Sequence, residues 1–272
     1  MAHTSVETYF LYLYGVIPRE ELENKEIPSF CGIDQKDTKV ISVNELAALI
    51  TLVNPQNFSQ ENIDQQLKDP EWLKEKAYHH HECISVMHKY FTILPMSFCT
   101  IFQKEEKLRS LLNEQYESIL EKLNKLKNKQ EMNLKIYCDD DQAYSYVVNH
   151  NPAVQEFRET IASMPKGKQF IMKKKLKQVI TSQVEQEQSG WWYQIERVLQ
   201  LLIVESRLRK NWGREITERS DDMIVNCDFL IDKRNIEPFL NKILELEQDF
   251  AKLGCSFEVS GPWPPYHFSK EN

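Results

Sequence analysis

Six consecutive residues, Tyr78-His79-His80-His81-Glu82-Cys83, gather imidazole, carboxylate and thiol groups in one place, and His88 lies five residues beyond them. Imidazole nitrogen and thiolate sulfur are the ordinary ligands of zinc. On a helix His79 and Cys83 share a face at i, i+4, and His81 and His88 share one at i, i+7. A metal-dependent enzyme centred on His79, His81 and Cys83 is therefore one reading. The spacing argues against it. A metalloprotease helix, H-E-x-x-H, would need histidine at position 85, which is Ser85. Adjacent histidines point in three directions, and His80 falls on the apolar stripe of the same helix. A hydrogen-bonded core imidazole is the expected state there, and no metal ligand is assigned.

Cys138-Asp139-Asp140-Asp141 is the next cluster. Carboxylates share a proton or hold a divalent cation only when they converge from separate elements. Three in a row at a strand-to-helix junction are expected to form a solvated turn and a helix N-cap. Lys166–Lys177 holds six lysines and no acid. On a helix Lys173, Lys174, Lys175 and Lys177 spread around most of the circumference, leaving Phe170, Leu176 and Ile180 for the core. Such a run is expected to be a solvated, Lys-rich helix balanced by Glu185 and Glu187, with a docking patch for an acidic partner as the alternative. Cys99 would be a nucleophile only beside a histidine, and no triad can be drawn from the order of residues. The six cysteines stand at 31, 83, 99, 138, 227 and 255 without a C-x-x-C pair, and free buried thiols are expected. The seven glycines are spaced too widely for a dinucleotide or phosphate loop. Catalytic, cofactor and metal residues are accordingly assigned to none.

The chain that must position these groups has 272 residues, 41% hydrophobic and 28% charged, with a formal net charge of −7. Mean hydropathy is −0.54, and no apolar run approaches a membrane span. The acidic balance argues against a nucleic-acid partner. MAHTSVETYF has neither a basic n-region nor an apolar h-region, so a soluble cytoplasmic protein without a membrane partner is expected.

Residues 8–17 read as a buried strand ending at Pro18. Residues 39–43 suggest another, and 46–53 suit either a strand or a short helix. Asp69-Pro70-Glu71 is a helix start, and Leu73, Ala77, His80, Ile84, Met87 and Phe91 make one face of the helix it opens. Residues 92–102 have strand chemistry, and 104–127 make a second amphipathic helix. Residues 128–132 are polar and mark a boundary. Beyond it the spacing predicts a strand over 133–138 and a weakly amphipathic stretch over 142–162. Long helices over 166–188 and 191–212 come next, broken near Ser189-Gly190, with a polar loop over 213–222. A strand over 223–231, a helix over 235–253 ended by Gly254, and a strand over 255–259 close the pattern. The fold class is α+β with two domains. The second fits a ferredoxin-like βαββαβ sandwich with one strand weak or missing.

The C-terminal Ser260-Gly261-Pro262-Trp263-Pro264-Pro265-Tyr266-His267-Phe268 stands apart. Three prolines in four residues exclude helix and leave an extended or polyproline-like segment. Large aromatic side chains at 263, 266 and 268 are costly to leave in water. They pack either on the chain's own body, as a clamp, or on a partner. The clamp is the expected form, with Trp263 and Tyr266 filling a groove and their polar tips bonded to backbone. Gly261 would allow an unusual φ where the strand turns out of the sheet.

SGPWPPYHF at the end and LYLYGVI at the start resemble the GvpL/GvpF family of gas vesicle proteins. Ordered matches lie between them: Trp72-Leu73, Ala77 and His81-Glu82; Leu94-Pro95 with Phe98 and Thr100; Leu134-Lys135-Ile136-Tyr137; Gly167-Lys168; and Val225-Asn226 before Phe229-Leu230-Ile231. His79-His80-His81-Glu82, Phe98-Cys99-Thr100-Ile101 and Tyr137-Cys138-Asp139-Asp140 look most like the L branch of bacilli. Ser97 and Cys99 depart from the wider family, where many members have Arg and Gly. The resemblance implies an N-terminal α+β domain (1–130), a C-terminal ferredoxin-like domain (131–259) and a tail (260–272) packed on the body. It implies non-enzymatic work as an accessory protein in gas vesicle organization, bound to the hydrophobic major shell protein and to other accessory proteins. A minor structural component of the vesicle shell is the alternative. Gly261, Pro262, Trp263, Pro264, Pro265, Tyr266 and Phe268 are the candidate structural or interaction residues.

Overall fold

An almost uninterrupted run of aromatic and aliphatic residues forms β1 (Phe10–Pro18), which is buried along nearly its whole length. Only a central strand can bury both faces, and β1 has neighbours on both edges. The hairpin strands β2 (Thr38–Val43) and β3 (Leu46–Val53) lie on one side. The two-residue strands β4 (Leu94–Pro95) and β5 (Ile101–Phe102) pair with it on the other. All these pairings are antiparallel, with a bulge between Leu13 and Gly15. Residues 46–53, open between strand and helix by periodicity, are a strand because pairing with β1 and β2 satisfies their backbone on both sides. The computed structural model describes residues 9–23, 25–28 and 30–270. Residues 1–8, most of the stretch read for a secretory signal, lie outside them.

The short helices α1 (Pro55–Phe58) and α2 (Gln60–Gln66) lead into α3 (Pro70–Tyr90). Asp69 caps α3 as expected, its carboxylate accepting from the amides of Glu71 and Trp72 at 3.0 and 3.4 Å. The single helix expected over 104–127 is two, α4 (Glu105–Glu114) and α5 (Tyr116–Leu126), interrupted at Gln115. The strand chemistry of 92–102 yields only β4 and β5. Pro95 has no amide to donate, and Cys99 sits at φ 61 in the turn between them. That left-handed conformation favours glycine.

The chain divides into two compact units, one ending at Gln130 and resuming at Trp263, the other Glu131–Pro262. The second is built on β6 (Lys129–Cys138), β7 (Glu205–Leu208), β8 (Asp222–Asp232) and β9 (Cys255–Trp263) in the order β7-β8-β6-β9. Between β6 and β7 run α6 (Asp140–His150), α7 (Pro152–Ala162) and the 34-residue α8 (Lys166–Leu199). The four-residue α9 (Arg214–Thr217) lies in the loop read as polar, and α10 (Ile236–Ala251) links β8 to β9. Gly254 comes after α10 at φ +84, a helix exit that a Cβ would strain. The architecture is mixed α/β with two antiparallel sheets.

Two expectations fail here. Gly190 does not break α8, because the buried stripe passes through it: Ile180 and Val184 precede it, and Trp191, Ile195 and Leu199 continue the same face. A lone glycine costs a helix about 1 kcal/mol, less than burying those side chains returns. The helix also stops at Leu199 rather than running to 212. Residues 205–208 are β7, paired antiparallel with β8 from Glu205↔Leu230 to Leu208↔Cys227.

Candidate functional site

The three adjacent histidines of α3 serve three different parts of the first unit. His79 Nε2–H donates to the Gly32 carbonyl at 2.9 Å, holding the segment ahead of β2. His80 is buried among Tyr12, Tyr14 and Phe98, with Tyr14 stacked on it at 5.7 Å between ring centroids. Its polar atoms are fully used. The Cys99 amide donates to Tyr12 Oη at 3.1 Å, Tyr12 O–H donates to His80 Nδ1 at 2.9 Å, and His80 Nε2–H donates to the Met96 carbonyl at 3.3 Å. A carbonyl only accepts, so Nε2 carries a proton. Burial pushes its pKa down to about 4. The expected hydrogen-bonded core imidazole is what the fold contains, and the relay ties α3 to β1 and to the 96–99 turn.

His81 faces the tail. Its Nδ1 lies 2.9 Å from Tyr266 Oη and its Nε2 lies 3.3 Å from Ser85 Oγ. Both partners are hydroxyls, so either tautomer satisfies both contacts. The rings of Trp263 and Tyr266 lie 5.6 and 5.7 Å from the imidazole. Burial lowers the pKa of His81, and Glu82 opposes that shift. Cys83 is buried with its thiol pushed up to about 12 by desolvation, which disfavours the thiolate that a metal or an electrophile would need. Its sulfur is 3.9 Å from His79 Nδ1. Histidines 79 and 81 are turned to different partners and do not converge.

The tail leaves the sheet through Gly261, at φ +122, a value open to glycine and not to other residues. The Gly261–Pro262 peptide is cis. Pro264 and Pro265 are buried, and the chain then turns, with the Ser269 amide donating to the Pro265 carbonyl at 3.0 Å. Phe268 is 2% exposed and Tyr266 packs against the core that contains Tyr12 and Ile84. One detail differs from expectation: Trp263 is 38% exposed rather than seated in a groove. The Tyr266 hydroxyl bonds to the His81 side chain. The hydroxyl goes to His81 because a half-buried imidazole nitrogen is costly to leave without a hydrogen bond.

On α3, Tyr78 stands one turn before His81 and is 63% exposed. It lines an open pocket of ≈ 630 Å³ with Asp69, Glu71, Trp72, Lys74 and Glu75. Tyr78, His81, Trp263 and Tyr266 thus set exposed aromatic surface beside a buried anchor. The pairing of His81 with Tyr266 spans 185 positions, and no local sequence pattern could signal it. Elsewhere, Asp139 caps α6 by accepting from the Gln142 amide at 2.8 Å, and Asp140 pairs with Arg214 at 2.6 Å. The acidic run is the expected cap and solvated turn.

The family model described as gas vesicle synthesis protein GvpL/GvpF matches residues 10–270. Gas vesicle protein L of Streptomyces sp. (strain CB03234) is 21% identical over 247 residues, 88% of this chain and 85% of that protein. Gas vesicle protein F1 of Halobacterium salinarum (strain ATCC 700922 / JCM 11081 / NRC-1) is 21% identical over 261 residues, 95% and 92% of the two chains. The crystal structure of the gas vesicle protein GvpF from Anabaena sp. PCC7120 superposes with a TM-score of 0.72 at 19% identity, covering 97% of this chain and 99% of that one. The GvpF structure from Microcystis aeruginosa gives 0.67 at 18% identity, covering 96% and 99%.

Proposed function

The chain belongs to the GvpL/GvpF family of gas vesicle synthesis proteins, and from that premise we propose that it binds the hydrophobic major shell protein, together with other accessory gas vesicle proteins, during nucleation or growth. The observation that carries the reading is the aromatic surface around His81. Tyr78 and Trp263 keep large apolar faces in water while Tyr266 and Phe268 anchor the segment that presents them. Exposed aromatic area on a charged, hydrophilic frame is what a protein needs to hold an apolar client without aggregating. A non-catalytic role is supported by the histidines, whose ring nitrogens are taken up by bonds that hold the fold together.

The chain is best read as two domains, 1–130 and 131–259, with the 260–272 tail clamped onto the first. The strand order β7-β8-β6-β9, with helices in both crossovers, supports a ferredoxin-like second domain. Among the described residues no helix is long and apolar enough to cross a membrane. Family membership supports action at the gas vesicle, within the cytoplasm.

Co-purification of the tagged chain with the shell protein, with and without the other accessory proteins, tests this. Retention of the shell protein is expected, with loss on Trp263→Ala and Tyr78→Ala under conditions where both variants remain folded. Absence of the shell protein from every preparation would sink the reading. Recovery of the chain with purified vesicles after a denaturant wash would instead favour a minor structural component.

A further inference from the structure

We propose that the outward face of the first three turns of α8 is a docking surface for an acidic protein segment carrying apolar anchors. The inward face of this stretch is set by burial: Gln169, Met172 and Leu176 are half-buried and Ile180 is buried, at spacings of three and four. With 100° per residue, Phe170, Ile171, Lys174 and Gln178 then fall on the opposite side, and Lys177 on its flank. Phe170 is 82% exposed and Ile171 70%, so neither goes to the core, contrary to the expectation for Phe170. Single exposed apolar residues are ordinary. Two bulky ones on one outward face, about 100° apart with Lys174 between them one turn on, make a small apolar surface with lysine beside it.

The charges point to the partner. Several other basic groups in this unit, though not all, sit against carboxylates: Lys135 with Glu258 at 2.8 Å, Arg214 with Asp140 and Asp222 at 2.6 Å, Arg219 with Asp221 at 2.7 Å. Among the described residues none of Lys166, Lys168, Lys173, Lys174, Lys175 and Lys177 has an ion pair, in a chain with 41 acidic residues to draw on. A surface of one sign left unopposed steers and selects a partner of the other. A nucleic acid fits poorly, since the net charge of −7 works against phosphate binding. An anionic membrane needs a broad continuous apolar face, whereas Lys174, Gln178 and Thr181 succeed Phe170 on this side. A protein segment with leucine- or phenylalanine-type anchors flanked by Asp and Glu matches both the patch and its rim. This surface is independent of the tail.

The test uses the full chain in cells making gas vesicles, with a photo-crosslinking phenylalanine analogue at position 170. Sequencing of the crosslinked product is expected to return an acidic segment with apolar residues. Its yield should fall at least tenfold with K173E/K174E/K177E and with Ile171→Ser, both leaving the thermal midpoint unchanged. Replacing the captured segment's acids by lysine should restore capture by the charge-reversed chain. No crosslink, a crosslink to nucleic acid or lipid, a segment without acidic residues, or a yield insensitive to charge reversal would each overturn the proposal. Shell-protein co-purification is a separate readout, so the two readings fail independently.

Discussion

The long helices α3 and α8 each carry a dense run of chemically conspicuous side chains, and they use them in opposite ways. In α3 each of the three adjacent histidines has a partner far away in sequence: Gly32, Tyr12 with Met96, and Tyr266. In α8 the six lysines have no ion-pair partner among the described residues, and the apolar pair between them faces water. The loud cluster is therefore internal wiring, and the bland one is open surface. Accounting for partners, rather than residue type, separates a group the fold consumes from one it leaves available.

Substitutions in each helix and in the tail put that contrast at risk. The largest effect is expected for His80→Asp, which puts a carboxylate on the buried stripe in place of a neutral ring. Chemical denaturation should register a loss of roughly 3–5 kcal/mol; a loss under about 1 kcal/mol would mean the relay through Tyr12 is dispensable. Phe268→Ala should cost about 3 kcal/mol as a buried aromatic truncation, while Trp263→Ala should cost roughly 1 kcal/mol because its ring is partly in water. Equal effects in parallel melts would contradict the division of the tail into anchor and presenting residues.

Acid should act next. His80 has a folded-state pKa of about 4 against 6.5 when free, so the unfolded chain takes up the proton first. The associated stability is complete above pH 6.5 and is lost as pH falls from there towards 4. It amounts to on the order of 3 kcal/mol, with His81 adding in the same direction. Unfolding curves across that window should slope downward, and His80→Gln should flatten them. Tyr266→Phe deletes only the hydroxyl on His81 and should cost about 1 kcal/mol. The smallest effect belongs to α8: K173E/K174E/K177E should stay within about 0.5 kcal/mol of the parent. A large loss would show these lysines to be engaged after all.

Features with local signals were legible from residue order. Asp69-Pro70-Glu71 specified a capped helix start and Asp139 another, because a short side chain reaches its own next amides whatever the surroundings. The 3.6-residue stripe of α3 placed His80 inward, and a buried imidazole must then be bonded. Ordered motifs from LYLYGVI to SGPWPPYHF carried the family, which the match over residues 10–270 bears out. Three-dimensional packing decided which hydroxyl His81 meets, that Trp263 stays partly in water, and that residues 205–208 pair with β8 instead of extending α8. It also decided that Phe170 has nothing to pack on. Each of these depends on atoms far along the chain, and the energies that choose among them, a hydrogen bond or a modest apolar area, are small beside local propensities until the fold brings the partners together.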